Sequence, residues 1–146
     1  MDDYKRRLCW HGMFLFLLGL LTGFVELKFA NPRMGLAAHL EGVMNGIFLL
    51  ALGAAWGQIN LSKRLRAAAY WAMLYGTYMN WVMTTLAAIL GTVALSPITA
   101  AGLKSADAWK ELLIQAGFMS VGIVIVIAAI LLLFGFRESF VSGASQ

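Results

Sequence analysis

This sequence has little charge and almost no cysteine, and each shortage narrows the class of protein. Only 12% of its 146 residues are charged, whereas 61% are hydrophobic. A soluble domain carries about twice that share of charge. The single cysteine, Cys9, excludes an internal disulfide and a metal site built from several cysteines. The basic residues that give the net charge of +4 lie at the ends of apolar runs, as expected of loops that face an anionic membrane surface. The charge is therefore not a sign of nucleic-acid binding.

Four apolar stretches are separated by short polar segments. About 20 helical residues cross the hydrocarbon core of a bilayer. The stretches predict helices over about 9–27, 35–57, 67–95 and 111–136, with breaks at Asn31-Pro32 and Ser96-Pro97. We therefore expect an all-α fold, with one integral membrane domain over residues 1–146. It would be a polytopic four-transmembrane-helix bundle with a flexible tail at 137–146.

The basic residues are distributed unevenly among the polar segments. Most of them, 7 of 11, lie in the N-terminal lead, the second loop and the tail. Loops rich in Lys and Arg stay in the cytoplasm, so we expect both termini on the cytoplasmic side. The residues are Lys5, Arg6, Arg7, Lys63, Arg64, Arg66 and Arg137.

The second predicted helix carries one histidine within a stripe of glycines. At about 100° per residue, His39 falls within about 60° of Gly35, Gly42, Gly46 and Gly53. Glycines leave room for a neighbouring helix or for a flat haem, which an axial histidine holds. The pattern leaves both readings open, a packing seam and a cofactor seat. A lone histidine cannot form a closed zinc site.

Several other polar side chains stand out against the apolar background. Glu41 is either a general base, a partner for a histidine of another subunit, a carboxyl kept protonated by burial, or an interhelical hydrogen-bonding group. Asn45 and Asn80 either orient a polar ligand or bond helices together. Tyr78 belongs to an aromatic stripe that packs helices or lines a pocket for an aromatic substrate. His11 suits interfacial hydrogen bonding or contact with a haem propionate.

The third predicted helix has a stripe of small and polar residues. Such a stripe suits close packing in lipid. We expect it to pack against the glycine stripe of the second helix, which would bring Asn80 towards Asn45. Its members are Gly76, Asn80, Thr84, Ala87 and Gly91.

The segment Asn31–Gly46, together with Trp10-His11-Gly12 and with Asn80 on the third helix, resembles a small bacterial family. This family contains the hydroxylaminobenzene mutases and the styrene oxide isomerases. The likeness spans all four helices, and Asn31–Gly46 is most similar to the mutase branch. The resemblance implies a four-helix protein of the bacterial inner membrane that assembles as a homotrimer.

For the site, the resemblance implies ferric haem b between subunits. His39 would be the axial ligand of the iron, Gly42 and Gly46 would lie beside the haem, and Asn45 would face the substrate. In the isomerase branch the iron acts as a Lewis acid on an epoxide, assisted by a tyrosine of the third helix. Thr84 stands at that tyrosine position here. This departure argues against epoxide isomerisation.

We therefore expect an isomerase that converts an aryl hydroxylamine, such as hydroxylaminobenzene, to a 2-aminophenol. Glu41, Asn45, Tyr78 and Asn80 would act on the substrate, and His11 would help to bind the haem. The expected partners are a small aromatic substrate, further copies of the chain and membrane lipid, with no nucleic acid. Two alternatives stay open: a styrene-oxide-type isomerase that gives an aryl acetaldehyde, and a small non-catalytic membrane cytochrome for electron transfer.

Overall fold

The computed structural model describes residues 3–143 and, among them, the side chains of residues 3–137. Four long helices follow one another: α1 (Asp3–Val25), α2 (Pro32–Ala55), α3 (Lys63–Leu90) and α4 (Ala108–Gly143). Short 3₁₀ turns, Glu26–Lys28 and Trp56–Gln58, extend α1 and α2. The described residues contain no strand, so the predicted all-α bundle is confirmed.

Capping residues explain where α2 begins and where α3 ends. The Asn31 side chain accepts a hydrogen bond from the Met34 backbone N–H at 3.1 Å, and Pro32 occupies the first helical position. Gly91 stops α3 because its φ of 66° is left-handed, a conformation that glycine adopts without strain. The helix therefore ends at Leu90, whereas the sequence predicts that it continues to residue 95, just before Ser96-Pro97.

The other helix ends also extend beyond the apolar runs. The polar lead joins α1, where Arg7 forms an ion pair with Asp3 one turn earlier. α3 begins at Lys63, because the Ser62 hydroxyl accepts a hydrogen bond from a backbone N–H of its first turn. The backbone of α4 stays helical through Gly143, which includes part of the predicted tail. Residues 144–146 lie outside the described residues.

The helices pack as two close pairs that share a central contact. α1 packs most extensively on α2, α3 packs on α4, and α2 joins the two pairs through α3. At one end of the bundle, Tyr4, Trp56 and Tyr70 pack their rings together over buried leucines. At the other end, Met34 of α2, Met83 of α3 and Ile114 of α4 form a second buried cluster.

The bundle has the outer surface of a membrane protein. Three segments are long and apolar enough to cross a bilayer: Asp3–Lys28, Pro32–Gln58 and Ala108–Arg137. Large apolar side chains point outwards, and Phe24 and Leu133 are 82% and 69% exposed. α3 does not reach the same apolarity by composition, so its crossing of the membrane stays a prediction.

Candidate active site

The glycine face of α2 is closed by α1. A Cβ at Gly42 would lie 2.5 Å from the Gly19 Cα, and a Cβ at Gly46 would lie 2.6 Å from the Phe16 backbone nitrogen. The two backbones therefore touch directly. The sequence predicts α3 as the helix in this groove, but α3 reaches Gly42 only through the Trp81 ring. α1 fills the groove instead, because its own glycines lie at the contact with α2 and let the two backbones come close. α3 has no glycine facing Gly42 or Gly46.

This contact bears on the predicted cofactor seat. Both Gly42 and Gly46 are buried against protein atoms, so neither borders an open space in which a flat group could lie. The sequence leaves two interpretations of the glycine stripe open, a packing seam and a cofactor seat. Within one chain, the contacts of the stripe are those of a packing seam.

His39 lies at the edge of the seam with its ring held in one orientation. Its Nδ1 is 2.8 Å from the Gly19 carbonyl oxygen. A carbonyl only accepts, so in the neutral imidazole Nδ1 carries the proton and Nε2 has the lone pair. The ring lies against Gly23, where a Cβ would come within 2.8 Å of Nδ1. Histidines that bind metals usually donate their other ring N–H in this way.

Nε2 of His39 makes no hydrogen bond to any residue whose side chain is described, and the ring is only partly buried. The same part of the chain holds no group of three or more His, Cys, Asp and Glu side chains that could enclose a metal ion. A metal bound through His39 would therefore take its other ligands from outside these side chains, as haem iron does from its macrocycle.

Glu41 lies on the opposite face of α2 and contacts α3. The Thr84 hydroxyl lies 2.6 Å from Glu41 Oε2 and 2.9 Å from the Asn80 carbonyl oxygen, and both oxygens can accept its proton. Thr84 is buried, while Glu41 and Asn80 are partly buried. The sequence singles out Glu41 and Asn80 separately, and the structure brings them together through Thr84.

These three side chains line one cavity of about 360 Å³ between α2, α3, α4 and the connection after α3. Its other walls are mostly apolar and include one aromatic ring. An apolar cavity with a few convergent polar groups is the usual form of a small-molecule site. The remaining lining residues are Met34, Ala37, Phe118 and the segment Leu95–Thr99.

Asn45 forms a hydrogen bond with α3. Its Nδ2 donates to the Thr77 carbonyl oxygen at 3.3 Å, one turn before Asn80 on the same helix. Asn45 does not line the cavity. The predicted approach of α2 and α3 is present, and Asn45 bonds the two helices together.

His11 and Tyr78 bind each other. The Tyr78 hydroxyl donates to the His11 carbonyl oxygen at 3.3 Å and lies 3.1 Å from His11 Nδ1, with the two rings edge to face. Neither residue lines the cavity that contains Glu41. The pair bonds α1 to α3, a role that the sequence leaves open for His11.

Two functional features are missed by reading the sequence. One is the Glu41–Thr84 hydrogen bond between α2 and α3. A signal for it is that Asn80 and Thr84, one turn apart, place two polar side chains on the same face of α3. The other is Glu111, at the start of α4, whose carboxylate accepts hydrogen bonds from the connection that borders the cavity. An acidic residue in the first turn of a helix is a common capping signal, and it can be found in the sequence.

The site residues thus form two groups on opposite sides of α2. Positions 39 and 41 are separated by about 200° around a helix. One side presents an imidazole with its Nε2 lone pair, suited to binding a metal. The other presents a carboxylate, an amide and a hydroxyl around an apolar cavity, suited to holding a small molecule with apolar and polar parts and to moving a proton.

Comparison with known proteins assigns the family. The family model described as styrene oxide isomerase matches residues 4–137. The hydroxylaminobenzene mutase HabB of Ectopseudomonas oleovorans is 46% identical over 134 residues, which are 92% of this chain and 82% of that protein. The hydroxylaminobenzene mutase HabA of the same organism is 41% identical over 125 residues, which are 85% of this chain and 92% of that protein.

No solved structure gives a significant match. The family model and both relatives carry the names of isomerases, and the match covers nearly the whole described chain. The predicted resemblance is confirmed: this chain belongs to the styrene oxide isomerase family, a family of isomerases.

Proposed function

We propose that this protein is a membrane isomerase that converts an aryl hydroxylamine, such as hydroxylaminobenzene, into the corresponding 2-aminophenol. The observation that carries the proposal is the cavity containing Glu41, Thr84 and Asn80. Two relatives that are more than 40% identical are named hydroxylaminobenzene mutases, which supports the same substrate class.

The reaction needs a group that moves a proton between neighbouring atoms. The N–O bond breaks and a bond forms from that oxygen to the ortho carbon. The ortho carbon then loses a proton, and the nitrogen gains one, so the product is an isomer of the substrate. Glu41 is suited to this transfer because Thr84 holds its Oε2, while Oε1 makes no hydrogen bond to any described side chain. General acid–base catalysis of this kind contributes about 10²–10⁴-fold.

Asn80 is the second polar group that we assign to the substrate. Its side-chain amide lines the cavity and makes no hydrogen bond with the described residues. It offers both a donor and an acceptor to the hydroxylamino group. The apolar walls would hold the ring and exclude water, which favours internal rearrangement over attack by solvent.

We propose ferric haem b as the cofactor, with His39 as the residue that would bind its iron. The fit rests on the Nδ1–H bond to the Gly19 carbonyl oxygen, which leaves Nε2 to bind iron. When bound, the haem supplies a Lewis acid that weakens the N–O bond of the substrate. Gly42 and Gly46 cannot border it within one chain, because α1 covers them.

We propose that the active unit is a homotrimer. His39 and Glu41 face opposite sides of α2, so one chain does not bring both to the same substrate. In a closed cyclic assembly the His39 side of one copy meets another side of the next. The haem would then lie between subunits, close to a neighbouring cavity.

We also propose that the protein lies in the bacterial inner membrane with both termini in the cytoplasm, because most basic residues lie in the segments on that side. Membrane lipid would then surround the bundle. Aryl substrates partition into lipid, so the location would concentrate them near the cavity.

The family model favours one second candidate, a styrene-oxide-type epoxide isomerase. Purified protein should be offered hydroxylaminobenzene and styrene oxide separately, and the products should be separated by chromatography. We expect 2-aminophenol as the main product. Formation of phenylacetaldehyde without 2-aminophenol would establish the second candidate instead.

The haem is tested by an absorption spectrum of the purified protein beside two matched variants. We expect a Soret band that His39→Ala removes or strongly weakens and that His11→Ala retains. A full, unshifted band in His39→Ala would contradict the ligand assignment. Absence of a band after addition of haem to the wild type would contradict the cofactor.

A further inference from the structure

We propose that Glu111 is a positioning residue for substrate binding, because it fixes the connection between α3 and α4 as the roof of the Glu41 cavity. We call residues 92–106 the roof segment. The inference rests on the proposed function only in taking the cavity as the aryl-binding site. The contacts that fix the roof segment do not depend on the chemistry.

The Glu111 carboxylate accepts hydrogen bonds from both ends of the roof segment. At the α3 end it accepts from the Val93 N–H at 3.1 Å and from the Ala94 N–H at 2.8 Å. At the α4 end it accepts from the Ala106 N–H at 2.8 Å and from the Ser105 hydroxyl at 3.1 Å. One side chain therefore joins the two ends of the roof segment, beside the packed ends of α3 and α4.

The part of the roof segment between these contacts borders the cavity. Residues Leu95–Thr99 line it together with Glu41, Asn80 and Thr84. Thr99 also contacts Met34 of α2 through a 3.8 Å hydroxyl–sulfur interaction, and Met34 lines the same cavity. The position of this stretch therefore sets the size of the cavity.

Leu95 shows that the roof segment is held under strain. Its φ is 55°, and it is the one described residue other than glycine with a positive φ. A leucine in this conformation persists only where its surroundings over-determine it. Leu95 directly follows Ala94, whose N–H makes one of the shortest bonds to Glu111. The Ser96 N–H donates to the Val93 carbonyl oxygen at 3.2 Å and closes a turn around Leu95. The Glu111 carboxylate holds the first two residues of that turn, Val93 and Ala94.

The outer part of the roof segment is held much more weakly. Its contact with α2 is an exposed 3.3 Å hydrogen bond from Arg33 Nη1 to the Ala101 carbonyl oxygen. Gly102, with φ 84° and no atom near its missing Cβ, follows this contact. Among the described residues, Glu111 makes more side-chain hydrogen bonds to the roof segment than any other, so we take it as the main determinant of the segment's position.

Loss of the Glu111 charge should therefore weaken substrate binding more than chemistry. Glu111→Gln replaces one acceptor oxygen by an NH₂ group that faces backbone donors. Hydrogen bonds to a charged group are about twice as strong as neutral ones. We expect KM for the aryl hydroxylamine to rise roughly tenfold, with kcat changed less than about threefold, because Glu41 and Thr84 lie on other helices. Asp107→Asn is the matched control, since the exposed Asp107 lies four residues earlier and its side chain forms an ion pair with Lys110.

A second measurement follows the roof without using activity. Ser96 lines the cavity, and Ser96→Cys in a Cys9→Ser background provides one thiol for modification by a maleimide in detergent. We expect Glu111→Gln to accelerate the modification roughly tenfold and Asp107→Asn to leave its rate unchanged. We also expect 2-aminophenol to slow the modification in the otherwise wild-type protein.

The outcomes separate the two proposals. Unchanged KM and unchanged labelling in folded Glu111→Gln would overturn the role of Glu111. Faster labelling in a protein whose wild type makes no 2-aminophenol would retain the roof but overturn its assignment to this substrate. If Glu111→Gln does not fold, Glu111→Asp keeps the charge but shortens the side chain, so that it no longer reaches both ends of the roof segment, and we expect a smaller rise in labelling rate. No rise in folded Glu111→Asp would also overturn the proposal.

Discussion

The two faces of α2 use the same helix for opposite purposes. On one face, Gly42 and Gly46 bring the backbone into direct contact with α1 and leave no space. On the other face, Glu41 keeps a polar contact with Thr84 beside a cavity of about 360 Å³. His39 marks the boundary of the closed face, since its Nδ1 bonds the Gly19 carbonyl oxygen.

The difference between these two faces shows how a small membrane protein combines a tightly packed helix contact with an internal cavity. Glycines at the contact, such as Gly42 and Gly19, let the two backbones approach closely, because a larger side chain between them would hold them apart. That rigid seam fixes the orientation of α2, and the seam therefore also determines where Glu41 points. Beside the cavity, Glu41 stays hydrogen-bonded through Thr84, as most buried polar groups do.

The most severe expected effect comes from filling the closed face. In Gly42→Leu the new side chain would meet the Gly19 backbone, which cannot move aside as a flexible side chain could. We expect destabilisation of roughly 3 kcal/mol or more and little folded protein in gel filtration after detergent extraction. Gly122→Leu is the control, because no atom lies near its missing Cβ. Equal yields of the two variants would show that the seam is not tightly packed.

The open face should instead control activity. Glu41→Gln keeps an acceptor for the Thr84 hydroxyl but removes the proton-accepting carboxylate. We expect kcat for formation of 2-aminophenol to fall by at least about 100-fold, with the folded yield unchanged. A fall of less than about threefold would mean that Glu41 serves only to bond α2 to α3.

Reading the sequence predicts the scaffold well. The four apolar runs predict four helices, and the segment Asn31–Gly46 predicts the family. The helix ends differ because capping by Asn31, Ser62 and Gly91 decides them, whereas the apolar runs report only what is buried or lipid-facing. Local chemistry of this kind is visible in the sequence once each cap is considered.

The partner of the glycine face is harder to predict. Both α1 and α3 carry small residues at helical spacing, and periodicity does not distinguish between them. Only the three-dimensional packing selects Gly12 and Gly19 of α1. The contact of Glu41 with Thr84 has the same limitation, because 43 residues separate the two positions.

A smaller effect is expected from the partner of Glu41. Thr84→Val preserves shape but removes the hydroxyl that holds Oε2. We expect kcat to fall roughly tenfold, because the lost bond is to a group that carries or exchanges charge. Thr85→Val is the control, since the Thr85 hydroxyl bonds only the Trp81 carbonyl oxygen of its own helix. Equal effects of both variants would show that the Thr84 hydroxyl serves only helix packing.

The smallest expected effect concerns Asn45, which lies on the same side of α2 as Glu41 but outside the cavity. Its Nδ2 bond to the Thr77 carbonyl oxygen is an interhelical contact at 3.3 Å. We expect Asn45→Ala to lower the free energy of unfolding in detergent by about 0.6 kcal/mol and to leave kcat/KM unchanged within about twofold. Asn60→Ala, at an exposed loop position, should change neither quantity. A loss of kcat/KM in Asn45→Ala as large as that in Glu41→Gln would place Asn45 at the substrate, and the active face of α2 would then extend one turn beyond the cavity.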